Sequence, residues 1–206
     1  MSAREEKGIL GRLATAPSIK EQILVAALQC FREKGYHGTT VRDIGTKVNM
    51  SVPGLYHHYA SKMVMLEQLM NDTMDDLLSD VRGAYERARP DAVPRFEAVV
   101  EAHVRFHCER QEESFLGNSE LRSLPPDALA SVVEKRDAVQ RYFEIVVEDG
   151  IEADLFDVKR PHATARALAS MCVAVASWYH RGGELSPEEV VAIYRDLGLE
   201  LVGFKG

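Results

Sequence analysis

The stretch Thr39–Lys62, TTVRDIGTKVNMSVPGLYHHYASK, decides how this 206-residue chain is read. Thr40 with Asp43 three residues later is a capping-box pattern, Asp standing in for the usual Glu, and Val41, Ile44 and Val48 then make a short apolar stripe. Asn49 tolerates the left-handed backbone of a tight turn. Ser51 offers a second N-cap, and Pro53 falls in the first helical turn, where its missing N–H costs nothing. Leu55 and Tyr59 share the inner side of this second short helix. Ahead of it, Ile19, Ile23, Leu24, Ala27, Leu28 and Phe31 follow one face of a longer helix that Gly35 is expected to stop. Two short helices about a tight turn, buried by a helix that precedes them, form a helix-turn-helix unit.

The paired histidines His57 and His58 invite other readings. Neighbours on a helix point about 100° apart and cannot chelate one metal ion. A general base needs a nucleophile or an orienting carboxylate nearby, and the sequence puts no such pair beside these histidines. The side opposite Leu55 and Tyr59 is left free to enter a major groove, with the N-terminal end of the second short helix nearest the base edges.

Charge supports that placement. The chain as a whole is acidic, at −7, yet residues 1–62 carry nine Lys/Arg against five Asp/Glu. A basic head on an acidic body is the asymmetry expected when one end meets phosphate. Three separated cysteines (Cys30, Cys108, Cys172) lie in apolar helical patterns and read as buried free thiols. No run of 18 or more apolar residues is present, and the first residues lack a secretory signal's apolar stretch, so a cytoplasmic protein is expected.

Helical periodicity continues to the end. A long helix follows Ser61, RPDAVP breaks it, and further helices are expected near 94–110, 114–124, from a cap at Asp127 to about 149, 163–180, and a last one carrying an apolar stripe from Val190 to Phe204. The fold expected is all-α, with about nine helices. The division is a flexible N-terminal arm (1–18), a helix-turn-helix domain (19–62) and a helical ligand-binding and dimerisation domain (63–206).

The segment Ile19–Met70 resembles the DNA-binding domain of the TetR family of bacterial transcriptional regulators. The likeness rests on Phe31, Gly35, Thr39-Thr40, Ile44, the LYHHY run and Ser61-Lys62 at fixed spacing. The resemblance implies phosphate contacts from Thr39, Thr40, Tyr56, His58 and Lys62, and base-facing positions at Ser51, Val52, Pro53 and His57. Gly45 departs from the family's usual Ala, Asn49 from a frequent Gly, Val52 from a polar or basic residue and Pro53 from Gly. An apolar pair at Val52-Pro53 favours contact with a thymine methyl group.

In the body, His103 and His107 stand four apart on the helix that carries Phe96, Val99 and Val100. They read as pocket-lining groups, as a metal pair or as satisfied core histidines; no metal or cofactor is expected. FLGNSELRSLPP and ASWYHRGGELSPEEV are similar to segments of TetR-type repressors that respond to acyl-CoA thioesters, including regulators of fatty-acid and sterol-ring breakdown. Phe115, Asn118, Arg122, Trp178 and Arg181 of these segments, together with Tyr142 and the two histidines, are the candidate ligand contacts. Leu168, Met171 and Val175 of the penultimate helix and Val190, Ile193, Tyr194, Leu197 and Leu201 of the last are expected to form a two-fold dimer interface. The function expected is a ligand-responsive dimeric repressor of TetR type, released from a palindromic operator by a small molecule, and not an enzyme. The alternatives are a ligand-independent architectural or activating DNA-binding protein, or an enzyme acting on acyl-CoA.

Overall fold

A computed structural model of the chain describes residues 17–206, and these fold almost wholly into helices. The expected N-terminal arm lies outside them except for Pro17 and Ser18. Helix α1 (Ile19–Gly38) opens with a full capping box between Ser18 and Glu21. It does not stop at Gly35: the backbone breaks there (φ +71°) and one further turn follows before Thr39. Helix α2 (Val41–Lys47) carries the Thr40–Asp43 box, the Asp43 carboxylate accepting from both the backbone N–H and the hydroxyl of Thr40. Asn49 takes the left-handed conformation (φ 53°) in the turn. Helix α3 (Val52–Tyr56) is capped by Ser51, whose Oγ accepts from Gly54 N–H at 3.2 Å.

Helix α4 (Lys62–Arg87) is followed by α5 (Ala92–Glu109), α6 (Gln111–Ser119), a single 3-10 turn (Leu121–Ser123), α7 (Pro126–Glu152), α8 (Pro161–Trp178) and α9 (Pro187–Leu201). Asp127, expected as a cap, lies inside the first turn of α7.

Contacts divide the chain into two compact units at places the sequence does not mark. The first holds the chain through Asp76 together with Glu112–Val132; the second holds Leu77–Gln111 and Val133–Gly206. In the first, Leu24, Leu28 and Phe31 of α1 meet Ile44, Leu55, Tyr59 and Leu66 in a core where each is at most 3% exposed. In the second, α5 packs against α8 and α9, and Phe96, Val100, Val104, Leu168, Cys172, Val175 and Val190 are sealed from solvent. Gly198 lets α9 come close: a Cβ there would stand 3.2 Å from Leu168 Cδ1 and 3.3 Å from Phe96 Cζ. The three cysteines are free thiols in these interiors. No described helix is long and apolar enough to cross a membrane.

Candidate nucleic-acid interface

Burial of Leu55 turns the other side of α3 outward; Tyr59, expected on the same helix, is also buried but lies three residues beyond its end. Ser51, Pro53, Tyr56 and His57 are exposed, Tyr56 at 50%, while Val52 and His58 are half-buried. The two histidines therefore part, His57 facing out and His58 partly inward. Gly54 is needed close to the turn, because a Cβ there would come within 2.9 Å of Met50 Cγ. Gly45 is needed more strictly, since its Cβ would meet the Met50 carbonyl oxygen at 2.6 Å. The same pair is joined by a hydrogen bond from Met50 N–H to the Gly45 carbonyl at 2.8 Å.

Two of the expected phosphate contacts need correction. Thr39 is 2% exposed, and its hydroxyl lies 2.9 Å from the Cys30 carbonyl and 2.8 Å from that of Gly35. Its side chain closes the end of α1 and does not face outward; its neighbour Thr40 is exposed. Lys62 Nζ donates to the carbonyls of Tyr36 and Thr39, each at 2.6 Å, and lies 4.2 Å from the Tyr36 ring centroid. Helix ends leave carbonyls without partners, and an ammonium satisfies them well. Burial pushes the Lys62 ammonium below its ordinary value, while the Glu120 charge pulls it back up. Lys62 is thus a strut before it is a phosphate partner.

Other head cations are also engaged, Lys34 with Asp43 at 2.6 Å and Lys47 with Glu33 at 2.7 Å. Lys34 and Thr40 hold the Asp43 carboxyl well below the usual carboxylate range. Arg42, on the exposed side of α2, has no ion pair among the described residues. It was not among the residues expected from sequence, although its place two residues after the cap and opposite the Ile44 stripe was the signal.

The candidate ligand contacts fall in two compact units. Phe115, Asn118 and Arg122 belong to the first unit and are exposed there; His103, His107, Tyr142, Trp178 and Arg181 belong to the second. Within the second unit His103 and His107 stack with centroids 4.5 Å apart, His103 meeting the Phe143 ring edge-on at 5.0 Å. His107 Nδ1–H donates to the His103 carbonyl at 2.8 Å, while His103 Nδ1 is buried with no partner. Burial lowers the pKa of both, that of His107 to about 4, so both are neutral. Tyr142 packs on Tyr85, and Arg181 donates to the Glu109 carbonyl. Among the described residues no three His, Cys, Asp or Glu side chains gather to hold a metal ion.

The expected dimer residues fall into two sets. Leu168, Val175 and Val190 are fully buried within one chain, so they are core and not interface. Ile193, Leu197 and Leu201 are exposed at 43, 42 and 44%, with Met171 and Tyr194 half-buried; Trp178, expected as a ligand contact, is exposed at 41%. On α8 the outward row is Ala167, Ser170, Ala174 and Ser177. Ser170 and Ser177 turn their hydroxyls back to the carbonyls of Arg166 and Ala174, leaving that row without unmet donors.

Residues 23–69 match the profile described as "Bacterial regulatory proteins, tetR family", and residues 89–202 that of "Tetracyclin repressor-like, C-terminal domain". The chain is 28% identical over 185 residues to the HTH-type transcriptional repressor KstR2 of Mycobacterium tuberculosis (strain ATCC 25618 / H37Rv), covering 84% of this chain and 87% of that protein. It is 29% identical over 134 residues to the HTH-type transcriptional activator FasR of Mycolicibacterium smegmatis, covering 64% of this chain and 61% of that one. Among solved structures, a bacterial regulatory protein in the tetR family from Rhodococcus RHA1 superposes with a TM-score of 0.85 at 28% identity, covering 93% of this chain and all of that one.

Proposed function

Because the chain belongs to the tetR family of bacterial regulatory proteins, we propose that it acts as a dimeric repressor that reads its operator through α3 and lets go when a small molecule binds the body. The observation that carries this reading is the outward set Ser51, Pro53, Tyr56 and His57 on a helix whose inner side, Leu55, is sealed. Base readout falls to Ser51, Val52, Pro53 and His57; Thr40, Arg42, Tyr56 and His58 hold the backbone. Phosphate contacts set position and base contacts set sequence.

The second copy is proposed to dock on the exposed row of α8 and α9. A two-fold dimer places two α3 helices on half-sites about 34–36 Å apart, or a multiple of that. Both a repressor and an activator stand among the relatives, and repression is the reading adopted from the longer match. The effector is proposed to be an acyl-CoA thioester, bound without turnover. Its support is the likeness of the segments around Asn118 and Trp178 to acyl-CoA-responsive repressors. Release requires that the effector bind the two head spacings with different affinity.

The test is titration of the purified dimer against labelled DNA from upstream of its own gene, at several salt concentrations. Salt-dependent binding that an acyl-CoA series reverses, with the thioester recovered intact, supports the proposal. Absence of binding to any flanking fragment defeats it.

A further inference from the structure

The turn between α1 and α2 is held from outside the helix-turn-helix segment. After the break at Gly35, Tyr36, His37 and Gly38 form a last helical turn, and a restarted turn presents N–H groups that need an outside acceptor. The Tyr36 N–H finds one in Glu120 Oε1, 3.2 Å away and 84 residues along the chain. The other carboxylate oxygen accepts from Ser123 Oγ at 2.7 Å, and Ser123 Oγ lies 3.3 Å from His37 Nε2. At the carbonyl end of the same turn stands Lys62, donating to Tyr36 and Thr39. An anion at the N–H end and a cation at the C=O end match the direction of the peptide dipoles. One turn earlier Arg32 pairs with Glu112, from the same distant segment.

These acidic residues lie within the C-terminal family match, 89–202, yet Glu112–Val132 sits in the compact unit that contains the helix-turn-helix. Thr40, the cap of α2, follows this turn immediately, so the turn sets where α2 starts. We propose that Glu120 is a positioning residue for DNA binding, which fixes the Gly35–Thr39 turn and thereby the placing of α2 and α3. The proposal rests on the operator-binding reading above. It runs against simple electrostatics. Removing a carboxylate from a DNA-binding unit relieves repulsion from phosphate and would by itself tighten binding. Loss of a charge-assisted hydrogen bond at the turn weakens it.

Full-length Glu120→Ala and Glu120→Gln are compared with the native chain by fluorescence anisotropy on the upstream DNA and by amide hydrogen exchange across 36–40. Glu120→Ala is expected to lose about tenfold in operator affinity, with an unchanged salt slope and faster exchange across the turn. Glu120→Gln keeps an oxygen acceptor without the charge and is expected to bind within about twofold of the native protein. Equal or tighter binding by Glu120→Ala overturns the proposal, as do equal losses in both variants. Should Glu120→Ala not fold, Ser123→Ala, which frees only the second oxygen, is expected to lose about threefold, and no change in affinity or exchange overturns the proposal. If the native chain binds no flanking DNA, the operator reading fails by itself. Exchange then decides: unchanged protection across 36–40 in either Ala variant overturns the Glu120 role.

Discussion

The Trp178 indole stacks on Tyr194 with ring centroids 6.2 Å and planes 21° apart, and its N–H donates to the Tyr194 hydroxyl at 3.2 Å. The end of α8 is thereby fastened to the middle of α9, and the exposed row of Ile193, Leu197 and Leu201 rides on a fixed frame. An exposed stripe of this kind on two adjoining helices is how a two-fold partner is met.

Leu197→Asp should therefore give a folded monomer, since the side chain is already outside the core of its own chain. Light scattering is expected to show half the native mass, with circular dichroism unchanged and operator affinity reduced at least about a hundredfold through loss of the second head. A dimer of native mass would place the interface elsewhere.

Lys62→Met removes the donor from two carbonyls while keeping length and apolar bulk. A loss of about 1–3 kcal/mol in unfolding free energy is expected in urea titrations. The slope of operator affinity against salt should stay native, because the ammonium is spent inside the protein. A slope lower by about one would instead mean that Lys62 neutralises a phosphate.

Gly45→Ala restores the family's usual residue and should nonetheless harm this chain. The added Cβ has no room beside the Met50 carbonyl, a backbone atom that moves only with the turn. About 1–3 kcal/mol of destabilisation and weaker operator binding are expected, read by denaturant titration and anisotropy. A neutral outcome would show that the turn yields easily.

Acid should loosen the body before the carboxylates titrate. Burial keeps His103 and His107 uncharged in the folded chain, the carbonyl bond to His107 offsetting part of that effect and the Arg136 charge adding to it. Below about pH 6.5 the unfolded chain takes up these protons, whereas folded His107 waits until about 4. Stability from this source is complete above pH 6.5 and falls as pH drops toward 4, by roughly 3 kcal/mol for His107. Melting scans across that window test it, and His107→Gln should flatten the curve. Equal acid sensitivity in native and variant chains would remove His107 from the account.

The head was legible because its signals are local. Thr40 with Asp43, Ser51, Asn49 and Ser61 each act within three residues of themselves, and all took the places expected. What failed was decided at a distance. Gly35 reads as a stop, and the further turn is held by side chains distant in sequence, Glu120 at its N–H end and Lys62 at its carbonyl end. Thr39 and Thr40 are the same residue type side by side, and the break at Gly35 determines which is buried. On α8 both faces are built of small or apolar residues, so periodicity alone does not tell Leu168 from Ala167. The packing of α5 makes that choice. Of the candidate ligand residues, Phe115, Asn118, Arg122, Trp178 and Arg181 came from short likenesses without a spacing rule, and the candidates fall in two units.

The division of the chain bears on anyone who builds sensors by exchanging reading heads between regulators. A cut near residue 69, where the first profile ends, would leave Glu112, Glu120 and Ser123 behind with the old body. A working hybrid should carry two strips of this sequence, the head and the stretch 112–132, or else a host whose own acidic residues happen to serve the borrowed turn.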